Sequence, residues 1–236
     1  MALDYLSLIA LGLSVLLGLI HYLGESLKIA KGGNQYRIIS FAAGISIGYL
    51  FLDLLPLTYN AADHLKKSTF IFLLLGFIAV HLTEKYFYQH ARGDRLFIQL
   101  HVIHFVTFFM YYFIVGCVLV DLIHQEMYQG ILFIIPVSLH AGLSTASLSD
   151  IHSRFIAHLP EKILLAMAPI LGSIMAALVK FPPVVHGIFI SGISGVLLYV
   201  FVKEFLPDRE KGKPLFFLVG VAVFWAIMFV ITRLFH

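Results

Sequence analysis

The chain is short of charge. Asp, Glu, Lys and Arg make up 12% of its 236 residues, against about 25% in an ordinary soluble domain. With 60% hydrophobic residues and a mean hydropathy of +0.95, that shortage excludes a soluble globular fold and points to a polytopic membrane protein. Cysteine is nearly absent as well. Cys117 stands alone, which excludes an internal disulfide framework and a metal–thiolate cluster, and it reads as a small apolar packing residue. Long polar linkers are missing, so there is no room for a separate soluble domain, and residues 1–236 read as one transmembrane domain. A net charge of +3 is no nucleic-acid signature. No basic run precedes the first apolar stretch, where Asp4 stands instead, so a retained first helix is expected rather than a cleaved signal peptide.

What the chain has in quantity is apolar length. A spanning helix needs about 20 mostly apolar residues. Eight such segments are legible, at roughly 3–23, 36–56, 69–88, 96–120, 129–148, 163–180, 184–206 and 215–235, with Pro182-Pro183 separating the sixth from the seventh. Cytoplasmic loops are enriched in Lys and Arg. With the N-terminus outside, the inner loops hold Lys28, Lys31, Arg37, Lys85, Arg92, Arg95, Arg154, Lys162, Lys203, Arg209, Lys211 and Lys213. The outer segments hold only Lys66, Lys67, Lys180 and Arg233. That bias implies eight spans with both termini extracytoplasmic, in a plasma membrane or, in a bacterium, the inner membrane.

Segments two and seven share a pattern. Ala43-Gly44 is followed, at the same spacing as Ser194-Gly195, by a carboxylate and Leu-Pro: Asp53-Leu54-Leu55-Pro56 in one, Glu204-Phe205-Leu206-Pro207 in the other. The next segments also match, with Phe72-Leu73-Leu74-Leu75-Gly76 beside Phe216-Phe217-Leu218-Val219-Gly220. In the assigned topology the two copies point in opposite directions. Inverted repeats of this kind are typical of secondary transporters, whose sites lie near the midplane between the copies. The repeats would cover about 1–90 and 160–236, with two central helices at about 96–148.

The two central segments carry histidines where a bilayer makes them costly. His101, His104, Thr107 and Tyr111 fall on one side of the fourth helix, and His140, Ser144 and Ser147 form a stripe on the fifth. Facing imidazoles suit Zn²⁺, Fe²⁺, Ni²⁺ or Cu²⁺. The other reading of each histidine is a hydrogen bond to a neighbouring carbonyl or hydroxyl. Asp53 reads as an interfacial carboxylate in the last turn of segment two, and Glu84-Lys85 as a snorkelling pair at the end of segment three. Asp121, Glu126 and other residues near segment ends read as solvated.

Taken together, these motifs resemble the ZIP family of divalent metal transporters. The run from Ala42 to Pro56 is similar to the family's second helix, with its small-Gly start and His-Leu-Leu-Pro end. Gly76-Phe77 with Glu84-Lys85 is similar to its third, and Leu198-Tyr199-Val200 through Glu204-Phe205-Leu206-Pro207 to its seventh. The resemblance implies an all-α bundle of eight transmembrane helices in a 3+2+3 inverted repeat, with helices 1, 4, 5 and 6 moving against 2, 3, 7 and 8. It also implies a transport site opened by His101 and His140, the first residues of the family's His-Asn-x-x-Asp and His-Glu-x-x-Glu motifs. Val102, Phe105, Ala141 and Ser144 occupy the other ligand positions, and His104 is an imidazole that the family pattern lacks.

Those replacements exclude the family's usual two-metal site. Imidazoles supply lone pairs but no negative charge to offset the desolvation of a dication. A single site on His101, His104 and His140, with Ser144 assisting, is expected instead, carrying Zn²⁺ or Fe²⁺ as cargo with no tightly bound cofactor. Expected partners are the lipid bilayer and the divalent ion, with a homodimer left open. Two other readings stand beside it. One is a ZIP-like membrane protein that does not transport metal and serves as a sensor, an assembly partner or a carrier of another solute. The other is a haem-binding electron carrier or an enzyme, against which no nucleophile motif is visible; the chain is expected not to be an enzyme.

Overall fold

The computed structural model describes residues 4–24, 33–60, 66–90, 94–147, 159–179, 181–204 and 212–235. These residues form helices and short connections, with no strand among them. In chain order the helices are α1 (Tyr5–Gly24), α2 (Gly33–Tyr49), α3 (Ser68–His90), α4 (Asp94–Gln125), α5 (Met127–Ser147), α6 (Leu159–Leu178), α7 (Pro183–Glu204) and α8 (Pro214–Phe235). Pro183 and Pro214 open their helices, where a missing N–H costs nothing. Asp4 caps α1, its carboxylate accepting the Ser7 N–H at 3.2 Å.

Among the described residues, seven helices are long and apolar enough to cross a membrane, and Met127–Leu143 of α5 forms a shorter apolar stretch. The chain is thus an all-helical protein compatible with multi-pass membrane insertion. α2, α4 and α7 are the most buried, while α3 and α8 are the least. Large apolar side chains such as Leu74, Leu218, Trp225 and Phe229 lie on the outside, as a bilayer solvent allows.

One boundary differs from the expectation in a way that matters. Pro56 does not end the second segment. α2 continues through a π-helical turn, Leu50–Leu54, into Leu55–Asn60. Pro56 has no N–H to give and its ring crowds the preceding turn. The widened turn absorbs that crowding, with the Leu55 N–H bonding back to the Leu50 carbonyl. Asp53 therefore lies inside a continuous helix and not in its last turn.

The helices pack as two groups. α6 lies along α4 and α1, and α5 along α1 and α4. Separately, α2 lies along α8 and α3 along α7. The groups meet chiefly where α5 crosses α2 and where α4 crosses α7. Lipid gives helices no hydrophobic reason to associate, so association depends on close approach and interhelical hydrogen bonds. Both are present. Ser14 and Ser173 hydroxyls meet at 2.5 Å, Ser173 donates to the Gly116 carbonyl at 3.1 Å, and Thr58 meets Ser194 at 2.6 Å.

Glycine sets the closest approaches. A Cβ on Gly44 would fall on the Phe217 carbonyl oxygen and against Val221 N, and one on Gly220 would fall on the Phe41 carbonyl oxygen. In the other pair, a Cβ on Gly195 would fall on the Leu73 carbonyl oxygen and against Phe77 N, and one on Gly76 would fall on the Gly192 carbonyl oxygen. The α2–α8 contact and the α7–α3 contact correspond residue for residue. Phe41 and Gly44 match Gly192 and Gly195, while Phe217, Gly220 and Val221 match Leu73, Gly76 and Phe77.

Gly44→Ala and Gly195→Ala should each lower stability by about 3 kcal/mol or block folding, because backbone stands where the methyl must go. Gly12→Ala, whose Cβ position is open, should change nothing. Thermal unfolding in detergent reads the difference.

Candidate functional site

The central polar site is built on the α4–α5 hairpin. Glu126 alone separates the two helices, and the turn is closed by Glu126 N–H to the Leu122 carbonyl and Gln129 N–H to the Glu126 carbonyl, each at 2.9 Å. Gly130 lets α5 begin tight against α4, since a Cβ there would meet the Ile123 side chain. Tyr111 and His140 lie nearly the same distance from this turn, so an antiparallel hairpin brings them level. Their rings pack edge to face with centroids 6.0 Å apart.

His140 is 2% exposed, and its ring begins a buried series. Tyr111 packs on Tyr112 at 4.9 Å between centroids, and Tyr112 on His21 of α1 at 4.7 Å. Two histidines and two tyrosines thus tie α5, α4 and α1 together inside the bundle. His21 was not among the residues expected at the site. Ser7, Ser14 and His21 recur every seven residues on one buried face of α1, which is the sequence signal that could have found it.

The other expected residues are only partly described. His101 and His104 lie on α4, ten and seven positions before Tyr111, and Ser144 lies one turn beyond His140 on α5. Their side chains lie outside the described residues. At 1.5 Å per residue, His101 and His104 stand about 15 and 10 Å along the α4 axis from the level of His140. Among the described residues, no three or more His, Cys, Asp or Glu side chains converge on one point.

A second polar group lies on α2, and the sequence underrated it. Ser46, Tyr49 and Asp53 share one helical face. Ser46 and Tyr49 are fully buried. Ser46 Oγ, Tyr49 OH and Asp53 Oδ2 are all buried with no hydrogen-bond partner. The Tyr49 ring sits between Phe224 of α8 at 5.9 Å and Phe133 of α5 at 6.3 Å. One turn before Phe133, Gln129 also has a buried, unpartnered Oε1. Each such group costs about 1–3 kcal/mol, and buried unsatisfied groups call for a bound water or ion or a catalytic role. Asp53 sits in the π turn, a distortion found mostly at functional sites.

Glu84 has a different role from the expected pair with Lys85. It pairs across to Lys203 on α7 and accepts a hydrogen bond from Tyr199 OH at 2.5 Å, and His81 Nδ1 lies 3.4 Å from the same hydroxyl. This is a satisfied network joining α3 to α7. The Glu204 side chain, the counterpart of Asp53 in the sequence repeat, lies outside the described residues.

Compared with known proteins, the chain matches no family model and no curated sequence.

Replacing Asp53 with Leu should raise unfolding stability at neutral pH by about 1–3 kcal/mol, because an unpartnered carboxylate oxygen leaves an apolar setting. Denaturant titration checks this; a loss of stability would mean that the carboxylate holds the fold.

Proposed function

We propose that this chain is a ZIP-like membrane carrier of a divalent transition-metal cation of the zinc or iron class, made of two inverted three-helix repeats around α4 and α5. The observation that carries this reading is the residue-for-residue match between the α2–α8 and α7–α3 backbone contacts. Two copies of one unit, related by an axis in the membrane plane, would produce that match. Both termini are then extracytoplasmic, as the basic residues suggest.

The ion path runs along α5. An even and an odd span run in opposite directions, so Asp53, one turn past Tyr49, comes level with Gln129, one turn before Phe133. Asp53 gives the path a negatively charged station, which the imidazoles do not. His140 follows about 16 Å further along α5, and Ser144, His104 and His101 continue in the same direction. The four expected ligands thus act as successive stations and not as one cage. Neutral imidazole and a carboxylate suit Zn²⁺ or Fe²⁺ better than Ca²⁺. The chemistry is binding and release, and no covalent step is assigned.

A second reading, a ZIP-like membrane protein that does not transport metal, draws support from the close packing of Tyr111 on the buried His140 ring.

In proteoliposomes the wild type should take up Zn²⁺ or Fe²⁺ saturably. His140→Ala and Asp53→Asn should each cut the initial rate about tenfold or more. Uptake should fall between pH 7 and pH 5.5, since protonated imidazole cannot ligate. No uptake by the wild type, or full uptake by His140→Ala, would refute the proposal.

A further inference from the structure

At the end of the bundle where α1 begins and α4 stops, two histidines are each held between two acceptors. His186, near the start of α7, places Nδ1 2.8 Å from Asp121 Oδ1 and Nε2 3.0 Å from the Phe181 carbonyl oxygen. His124, near the end of α4, places Nδ1 2.8 Å from the Val120 carbonyl oxygen and Nε2 3.0 Å from Asp4 Oδ2. A carbonyl cannot donate, and neither can an ionised carboxylate. A neutral imidazole has one N–H and one lone pair, so it would leave a lone pair facing an oxygen at hydrogen-bond distance in both places. With Asp4 and Asp121 ionised, only the doubly protonated ring donates to all four acceptors; the one hydroxyl beside these contacts is that of Ser7, 3.5 Å from His124 Nε2.

The surroundings match two cations. Asp121 was expected to be solvated, yet its side chain is 11% exposed. Its second oxygen accepts from Gln125 Nε2 at 2.9 Å. The Asp4 carboxyl is held below the usual carboxylate range by hydrogen bonding from Ser7 and then by His124, so it faces the ring as an anion. The other carboxylate at this end, Glu126, is exposed in the α4–α5 turn. Among the described residues, α6 beside α4 and α2 and α3 beside α7 bring no ion pair to either histidine. With both rings protonated, Asp4, Asp121, His124 and His186 sum to zero charge. With both neutral, a nearly buried Asp121 is left without a counter-ion, which is costly.

The placement gives this charge state a consequence. Asp121–His186 joins α4 of one helix group to α7 of the other, whereas Asp4–His124 holds α1 to α4 within one group. We propose that His124 and His186 are imidazolium ions forming a proton-operated clasp, with His186 and Asp121 closing this end of the bundle between the two helix groups. The relative motion of the groups rests on the carrier reading above; the charge state does not. The sign follows from the donors. The clasp is complete while both rings carry two protons and is lost when rising pH removes one of them.

The test uses metal-free full-length protein in phosphatidylcholine nanodiscs, so that failure of metal transport and failure of the clasp are separate results. Spin labels go on Val184→Cys and Glu126→Cys, both exposed positions, in a Cys117→Ala background. At pH 5.5 the label distance should be short and narrow, and at pH 8.5 it should lengthen by several ångströms and broaden. His186→Arg, a permanent cation, should keep the short distance at both pH values, and His186→Leu should give the long one at both. A wild-type distance that does not change with pH, or a full pH response in His186→Leu, would overturn the proposal. If the Arg variant does not fold, the wild-type comparison and His186→Leu still decide.

Discussion

Backbone touching backbone is the contact on which this bundle depends. In a bilayer, apolar side chains gain nothing by leaving lipid for protein, so helices hold together where they come close enough for dispersion and for polar contacts. Gly44 with Gly220, and Gly76 with Gly192 and Gly195, allow that approach for α2 with α8 and α3 with α7. Gly116 and Gly172 do the same between α4 and α6, each with its Cβ position on a carbonyl oxygen of the facing helix. These contacts are rigid because nothing at them can rotate. The remaining boundary, where α5 crosses α2 and α4 crosses α7, carries side-chain contacts such as Tyr49 with Phe133 and Asp121 with His186. Side-chain boundaries can repack, so any relative motion belongs there.

The polar groups follow the same division. Several pairs within a helix group are satisfied: Ser14 with Ser173, Thr58 with Ser194, Glu84 with Lys203 and Tyr199. A cluster on α2 and the start of α5 is not. Ser46, Tyr49, Asp53 and Gln129 keep buried oxygens without partners. A protein under selection only for stability would replace them with Leu or Val. Retaining them in an apolar setting is a cost that a transient cation or water would offset, which is why the carrier reading gives Asp53 the negative charge.

Much of the fold was legible from composition and apolar length. Low charge and eight apolar runs gave the helices to within a few residues, since helix length in a bilayer is set by membrane thickness. The Gly44 and Gly195 repeat was visible as a spacing, but the structure was needed to show that each glycine meets the facing helix at the matching carbonyl. Pro56 misled because a proline after Leu-Leu reads as an exit; the π turn that lets the helix pass it packs against α7, a contact that the sequence does not show. Asp53, His21 and Asp121 were underrated for one reason. Sequence periodicity shows which residues share a face of one helix, and not which neighbour that face meets. His101, His104 and Ser144 lie where the described side chains stop, so their standing rests on the sequence alone.

The central claim is that a divalent cation passes between a carboxylate station at Asp53 and an imidazole station at His140. Calorimetric titration of Zn²⁺ into the purified protein at pH 7.5 tests it most directly. Saturable binding is expected in the wild type, together with marked weakening in both Asp53→Asn and His140→Ala. No saturable binding in the wild type, or binding that both variants retain in full, would contradict it.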